Sequence, residues 1–149
     1  MNRFEIHPTP PLDSATALLG AVGLPASDLT ERHLDDFLYC GPAESLQGLV
    51  GLEIYGHDAL LRSLAVSPQS RRTGMGAALV QHAERHALGK GVRTVYLLTT
   101  GARTFFEELG YGHTTRESCP LAIRSTQEFA SLCPETSAIL MKRLRWWGL

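Results

Sequence analysis

The spacing of apolar positions changes several times along the chain, and these changes predict strands that alternate with helices. Short apolar runs between glycine, proline and polar residues predict strands at residues 4–7, 37–40, 48–55, 59–66, 92–99, 112–119 and 137–144. Helical spacing predicts a first helix capped by Asp13 or Ser14 and ended by Gly23. A short helix or turn opens at Ser27-Asp28, and a capping box at 125–128 predicts a late helix through Leu132.

The segment 60–99 predicts a βαβ unit. Its helix carries a stripe of apolar side chains, Leu79, Val80, Ala83 and Ala87, and is followed by glycines at 89 and 91. A helix that joins two strands allows them to run parallel, whereas the short turn at 56–58 predicts an antiparallel hairpin. The chain is therefore predicted to be an α/β protein with a mixed sheet.

The loop Arg71-Arg72-Thr73-Gly74-Met75-Gly76 follows a break at Ser67-Pro68 and leads directly into that helix. Its glycines allow a ligand to approach the main chain, and a helix N-terminus favours an anion. The loop lacks the Gly-Lys-[Ser/Thr] ending of triphosphate loops, and Leu79 stands where a dinucleotide loop has its third glycine. We therefore expect a phosphate or pyrophosphate here, with Arg71 and Arg72 adding positive charge.

Two motifs resemble the GNAT superfamily of N-acetyltransferases. The first is Arg71-x-x-Gly74-x-Gly76 after a strand that ends in Val66-x-Pro68, which matches the family pattern Gln/Arg-x-x-Gly-x-Gly/Ala after Val-x-Pro. The second matches at four positions, Ala102, Phe105, Gly110 and Tyr111. The resemblance implies a mixed central sheet of about six to seven strands with helices on both faces, splayed open between its central parallel strands at an acetyl-CoA site. It also implies one acetyltransferase domain over residues 1–149.

The same resemblance implies how acetyl-CoA binds. Its pyrophosphate would lie on the N–H groups of residues 73–77, and its pantetheine arm would pair with the backbone of residues 64–66. The N–H of Val66 would stabilise the oxyanion, an interaction worth about 3 kcal/mol in other acyl transfers. The implied cofactor-binding residues are Leu64, Ala65, Val66, Arg71, Arg72, Thr73, Gly74, Met75, Gly76, Ala77, Thr99, Thr104, Phe105 and Phe106.

Two positions depart from the family pattern. Thr99 replaces an Asn, and Phe106 replaces the Tyr that in many members is thought to protonate the departing thiolate. A thiol with a pKa of about 8.5 can leave with help from water or a helix dipole alone. Alternatively, another hydroxyl takes the role, that of Tyr96, Tyr111 or Thr104. The spacing does not distinguish between these possibilities.

The acceptor amine must lose a proton, so the reaction needs a base. Glu53 is the first candidate, and His57 with Asp58 is the second. A helical insertion between the last two strands is expected near the acceptor. Arg116 and Arg124 beside it, together with Arg62, are candidates for binding a small polar or anionic substrate.

Composition narrows the function further. The 149 residues carry a formal net charge of -1, which argues against a nucleic-acid partner. No apolar run reaches the roughly 18 residues of a membrane span, and no signal peptide is recognised, so we expect a cytoplasmic protein without a membrane partner. Three cysteines, Cys40, Cys119 and Cys133, predict free thiols rather than a disulfide scaffold.

The segments 60–66 and 116–134 are similar to the arsenic-resistance branch of the superfamily. This similarity implies a small amino-acid-like or organoarsenical amine as acceptor, and three soft thiols suit trivalent arsenic. Buried structural cysteines fit the sequence as well, and we assign no metal site. Two further functions stay open: a sensor that binds acyl-CoA or a metalloid without catalysis, and an acetyltransferase of protein lysines or N-termini. Trp146-Trp147 fits either a homodimer contact or a loose tail.

Overall fold

A computed structural model describes residues 4–132 and 137–145, and its centre is a seven-stranded mixed sheet with the order β1-β2-β3-β4-β5-β7-β6. The strands are β1 (Ile6–Pro8), β2 (Phe37–Cys40), β3 (Gly48–Tyr55), β4 (Asp58–Val66), β5 (Thr94–Thr99), β6 (Gly112–His113) and β7 (Ala138–Arg143). The α-helices are α1 (Leu12–Val22), α2 (Met75–Gly89), α3 (Arg103–Glu108) and α4 (Leu121–Arg124). Shorter helical turns lie at His33–Asp36, Pro68–Ser70 and Glu128–Leu132.

Neighbouring strands of the sheet pair antiparallel except β4 and β5, which pair parallel. Alternating residues of the strands face two separate cores. Leu38 of β2 packs with α2 on one face, whereas Phe37 packs with α1 on the other. The chain after β6 covers the α1 face further along, where Ile123 and Phe129 pack on Leu60. The predicted α/β fold, the βαβ unit and the β3–β4 hairpin are confirmed.

The central parallel pair separates along its length. Pairing between β4 and β5 covers only Asp58 to Leu60 against Thr94 to Tyr96, although β4 continues to Val66 and β5 to Thr99. Beyond that point the backbones diverge and leave an opening between them. The predicted splay of the central strands is therefore present.

Several predictions about element boundaries were wrong. The first strand, predicted at 4–7, runs from Ile6 to Pro8. The helix α1 begins after Pro11, without a side-chain cap, so neither Asp13 nor Ser14 caps it. Pro11 keeps an extended backbone (φ -64°, ψ 141°), and its carbonyl accepts the N–H of Ala15 at 3.0 Å, so the helix starts at Leu12. The strand at 112–119 ends at His113, because the Thr115 hydroxyl and carbonyl both accept the N–H of Ser118 and fold the chain into a turn.

The late helix also differs from its prediction. α4 precedes the predicted capping box, and Ser125 stands at its C-terminal end. The N–H of Phe129 instead donates to the Thr126 hydroxyl at 3.2 Å, which caps the segment Glu128–Leu132 one residue later than predicted. This shift places the carboxylate of Glu128 inside the molecule, where it is 6% exposed.

Within the part of the chain that the structure describes, no helix combines the length and apolar character that a membrane crossing needs.

Candidate active site

A cleft of about 1150 Å³ lies where β4 and β5 separate. The end of β4, the start of α2 and the end of β5 form its walls, and the turn after α1 closes one side. The candidate cofactor residues that line it are Leu64, Ala65, Val66, Arg71, Arg72, Gly74, Met75, Gly76, Ala77, Thr99, Phe105 and Phe106. Glu128 and Ser137 line it as well.

A β-bulge in β4 shapes the floor of the cleft. β3 pairs Leu49 with Ala65 but Gly51 with Arg62, so β4 carries one extra residue there. Ser63 occupies the bulge with a φ of 59°, a left-handed conformation that is uncommon for a residue with a Cβ. The bulge places Arg62 and Ala65 on the same face of the sheet.

The backbone of Val66 is directed into the opening. Ser67 donates its N–H to Gln47 at 2.8 Å, and in an antiparallel ladder alternate residues point their backbone groups to opposite sides. Val66 therefore directs its N–H and C=O away from β3, and Arg71 Nε donates to that carbonyl at 3.2 Å. The N–H faces the cleft, as an oxyanion donor must.

The N-terminus of α2 forms the second backbone donor group. Gly74 precedes the helix with a φ of 89°, which favours glycine, and the Thr73 hydroxyl donates to the Ser70 carbonyl at 2.6 Å. The first-turn N–H groups of Met75, Gly76 and Ala77 have no acceptor four residues earlier within the helix. They lie at the same end of the cleft as Arg71 and Arg72, so this end suits an anion.

Gly76 leaves room in front of these amides. A Cβ on Gly76 would approach Phe105 Cζ no closer than 3.4 Å, an ordinary contact. The protein itself therefore does not require glycine at this position. A requirement for it must come from a ligand that approaches the helix.

The other end of the cleft contains a buried charge cluster around Arg62. Its guanidinium donates to Asp28 through both terminal nitrogens at 2.5 and 2.8 Å, and to Glu53 at 2.7 Å. Glu128 Oε1 lies 3.5 Å from Nη2. The Arg62 side chain is 0% exposed and the three carboxylates are 7–9% exposed. The cluster joins the loop after α1, β3, β4 and the segment before β7.

Charge pairing decides the ionisation of the cluster. Burial opposes the charged form of Asp28, but the hydrogen bond and charge of Arg62 outweigh it and lower the pKa of this carboxyl. Burial likewise opposes the charged guanidinium, and the carboxylates raise the pKa of Arg62. Burial and the hydrogen bond to Glu53 raise the pKa of Tyr55. Its hydroxyl therefore stays protonated and donates to Glu53 at 2.6 Å.

Asp28, His33 and Glu53 each offer one ligand atom, all within 4.8 Å of one another, a spacing that suits a metal ion. The same two carboxylates already share the guanidinium of Arg62. A second cation would have to compete with this ion pair.

Several candidate residues from the sequence lie outside the cleft wall. Glu53 contacts Arg62 of the cleft wall, and neither Glu53 nor Thr73 lines the cleft itself. Tyr96 packs with Ile123 and Phe129, and Thr104 lines a separate cavity of about 390 Å³. Arg116 donates to the Phe129 carbonyl, and Arg124 donates to that of Cys119.

The other candidate acids and bases, Tyr111, His57 and Asp58, also lie outside the cleft wall. Tyr111 donates its hydroxyl to Glu84 at 2.9 Å, and burial together with Glu84 raises its pKa. His57 and Asp58 lie at the start of β4, at the far end from Val66.

Thr99, which replaces the Asn of the family pattern, accepts the N–H of Ala102 and thereby fixes the start of α3.

The two cysteines that the structure describes lie apart from each other. Cys40 and Cys119 are buried in different clusters, and burial raises the pKa of each thiol. Cys133 and Trp146-Trp147 lie outside the described residues.

Glu128 and Ser137 line the cleft but were not candidate site residues from the sequence, in which the capping box predicts Glu128 as a capping residue. Glu128 is the one carboxylate among the described residues of the cleft wall. Ser137 Oγ is buried and has no hydrogen-bond partner within the described residues. The sequence indicates a buried acidic residue such as Glu128 only indirectly, because an arginine in the apolar run 60–66 requires acidic partners.

Comparison with known proteins gives one family match, to the "Acetyltransferase (GNAT) family" over residues 20–111. An amino-acid acetyltransferase of Pseudomonas paraeruginosa is 36% identical over 69 residues, which are 46% of this chain and 16% of that protein. An uncharacterised N-acetyltransferase of Chlorobaculum tepidum is 33% identical over 93 residues, 62% of this chain and 59% of that protein.

Among solved structures, N-acetylglutamate synthase from Neisseria gonorrhoeae, complexed with coenzyme A and N-acetyl-glutamate, superposes with a TM-score of 0.82 at 23% identity. The match covers 98% of this chain and 36% of that one. The likeness establishes the fold. The chain matches only about a sixth of the length of the Pseudomonas protein and about a third of the Neisseria chain.

Proposed function

The chain belongs to the acetyltransferase (GNAT) family, and on this basis we propose that it transfers the acetyl group of acetyl-CoA to the amine of a small molecule. The observation that carries the proposal is that one cleft combines the N–H of Val66 with the first-turn amides of α2. The proposal covers residues 1–149 as one acetyltransferase domain. It places the protein in the cytoplasm, a reducing compartment that suits the free thiols of Cys40 and Cys119.

The proposed reaction is direct transfer in a ternary complex. The amine nitrogen attacks the thioester carbonyl, a C–N bond forms, and the C–S bond breaks to release the thiolate. Amides of residues 75–77 bind the pyrophosphate, and the N–H of Val66 stabilises the oxyanion. Holding both substrates side by side removes much of the entropic barrier.

Glu128 is the proposed base, directly or through one water, because its carboxylate lines the cleft. Glu53, the first candidate from the sequence, becomes a positioning residue in this proposal. It shares Arg62 with Glu128 and so helps to fix the arrangement of the cluster.

The leaving thiolate needs no protein acid in this proposal. Phe106 is 4% exposed and has no proton to donate, and the hydroxyl of Tyr111 is engaged by Glu84. A thiol with a pKa of about 8.5 leaves as the thiolate near neutral pH and takes a proton from solvent.

Similarity suggests two acceptor classes. The relatives of the chain include amino-acid acetyltransferases, and the resemblance to the arsenic-resistance branch adds organoarsenical amines. A small acceptor is favoured over a protein one because Glu128, from the segment before β7, lines the cleft. An exposed protein lysine would need an open groove there.

The experiment is free-thiol release from acetyl-CoA with amino acids, alkyl amines, diamines, aminoarsonates and a lysine peptide as acceptors. We expect release that requires both substrates. The substitution Glu128→Gln should lower kcat about 10²- to 10⁴-fold because the base is lost, with unchanged affinity for acetyl-CoA. The matched control Glu108→Gln, on an exposed carboxylate outside the cleft, should retain full activity.

Two outcomes contradict this proposal. Tight binding of acetyl-CoA without thiol release for any amine would indicate a sensor rather than an enzyme. Release that proceeds only with the peptide would indicate a protein acetyltransferase.

A further inference from the structure

The acceptor end of the cleft carries an excess of negative charge. Three carboxylates, those of Asp28, Glu53 and Glu128, surround the guanidinium of Arg62 and outnumber it by two formal charges. His33 also reaches this cluster, and its Nδ1 accepts the N–H of Thr30 at 3.1 Å. Among the described residues, the other cations of the cleft wall are Arg71 and Arg72. These lie beyond Val66, on the loop before α2, at the end suited to the pyrophosphate.

Arg62 has no donor to offer a ligand. A guanidinium has five N–H donors. Nε donates to the Ser63 hydroxyl at 3.0 Å, Nη1 contacts Asp28 and Glu53, and Nη2 contacts Asp28 and Glu128. A carboxylate on the acceptor would therefore find negative charge at this end and no cation to pair with.

Ser137 gives an independent indication of a polar ligand. Its hydroxyl oxygen is buried, lines the cleft, and has no partner among the residues that the structure describes. A buried hydroxyl without a hydrogen bond is costly, and a ligand N–H group would satisfy it.

Building on the proposed function, we propose that the acceptor is a small diamine, that is, an amine with a second positive group and no carboxylate. The reacting ammonium compensates one of the two excess charges and gives a proton to Glu128 before the neutral nitrogen attacks. Once the C–N bond has formed, the nitrogen loses its second proton to solvent, and the C–S bond breaks to release the thiolate. The second ammonium compensates the other charge and donates to Ser137. This acceptor class differs from the amino acids that the names of the relatives suggest.

Three five-carbon amines that differ only at the far end test the charge directly: 1,5-diaminopentane, pentylamine and 5-aminopentanoate. Their dissociation constants are measured by calorimetry on the protein saturated with coenzyme A, at neutral pH. We expect the diamine to bind at least about tenfold more tightly than pentylamine, and 5-aminopentanoate to bind most weakly, because opposite charges attract strongly at low dielectric. Equal binding of the diamine and pentylamine, no binding of the diamine, or tighter binding of 5-aminopentanoate would overturn the proposal.

Glu128→Gln removes one excess charge and keeps the shape of the side chain. The preference for the diamine over pentylamine should shrink at least about threefold in this variant and stay unchanged in Glu108→Gln. If Glu128→Gln folds and still prefers the diamine over pentylamine as strongly as wild type, Glu128 does not bind the second charge of the acceptor. If the variant does not fold, the three dissociation constants of the wild-type protein decide whether the acceptor is a diamine.

Binding and turnover separate the two proposals. A diamine preference in binding without any thiol release supports the acceptor class and contradicts the enzyme. Thiol release that is faster with glutamate than with any diamine supports the enzyme and contradicts the acceptor class.

Discussion

Arg62 is the residue on which the buried charge of the cleft depends. It lies in an apolar stretch of β4, and its side chain is fully buried beneath three carboxylates. Removing one partner of such a cluster leaves the remaining charges poorly compensated in a low-dielectric environment, which costs stability. Each member therefore contributes to the fold as well as to the proposed acceptor site.

Asp28 makes this contribution dependent on pH. Its pKa in the folded protein lies below the ordinary value of 3.8, so its carboxylate stabilises the fold above that value. The contribution disappears as the pH falls through the folded pKa. We expect Asp28→Asn to lower the free energy of unfolding by about 1–3 kcal/mol at pH 7, and the difference from wild type to narrow towards pH 3.

Urea denaturation between pH 3 and pH 7 measures this difference. The control Asp35→Asn changes an exposed carboxylate of the neighbouring helical turn and should show a small difference at every pH. If the difference in free energy of unfolding between wild type and Asp28→Asn grew towards acid pH, ionised Asp28 would not be the stabilising form.

The sequence predicted less of this cluster than of the cofactor loop. Arg62 in an apolar run indicates that acidic partners exist, but Asp28 is 34 residues away in sequence. Glu128 was predicted as a capping residue, and only the shift of the cap to Thr126 directs it inward. Contacts between residues distant in sequence depend on the folded topology, which local patterns do not contain.

At the scale of elements, β3 shows why close packing requires glycine at particular positions. A Cβ on Gly51 would overlap the ring of Phe37, which is fully buried between β2 and α1. A Cβ on Gly48 would lie 2.7 Å from Met75 Sδ at the start of α2. Both glycines bring neighbouring elements close to β3 and thereby help to position the wall of the cleft.

We expect Gly51→Ala to lower the free energy of unfolding by about 1–3 kcal/mol, because the buried ring has no space into which to move. The control Gly20→Ala lies in α1 with nothing within 4 Å of its Cβ. It should gain up to about 1 kcal/mol from helix propensity. Chemical denaturation compares the two, and an unchanged midpoint for Gly51→Ala would contradict the packing described here.

The strands at 37–40 and 48–55 were predicted with their observed bounds, because short, mostly buried apolar runs next to glycines mark them. The strand at 112–119 was wrong, since a turn held by Thr115 replaces most of it. β-propensity alone does not reveal such a side-chain hydrogen bond. Secondary structure was thus predictable where burial is regular and not where a single polar contact decides the path.

At the scale of the whole molecule, the cleft has two ends of opposite charge. Arg71, Arg72 and the N-terminus of α2 lie at one end, and the carboxylates around Arg62 lie at the other. The net charge of -1 gives no sign of this separation. In the proposed reaction, this arrangement would place an anionic acyl donor and a cationic acceptor on either side of Val66.

The central claim is that the first turn of α2 binds the pyrophosphate of acetyl-CoA, and calorimetric titration of acetyl-CoA into Gly76→Asp and Gly89→Asp tests it most directly. Both positions lie in α2, and neither new Cβ meets an atom closer than 3.4 Å. A carboxylate in the first turn of a helix is favourable, so Gly76→Asp should stay folded. We predict that Gly76→Asp weakens acetyl-CoA binding about tenfold or more, because its negative charge repels the pyrophosphate from the amides, while Gly89→Asp binds as wild type. Wild-type affinity in Gly76→Asp would contradict the account.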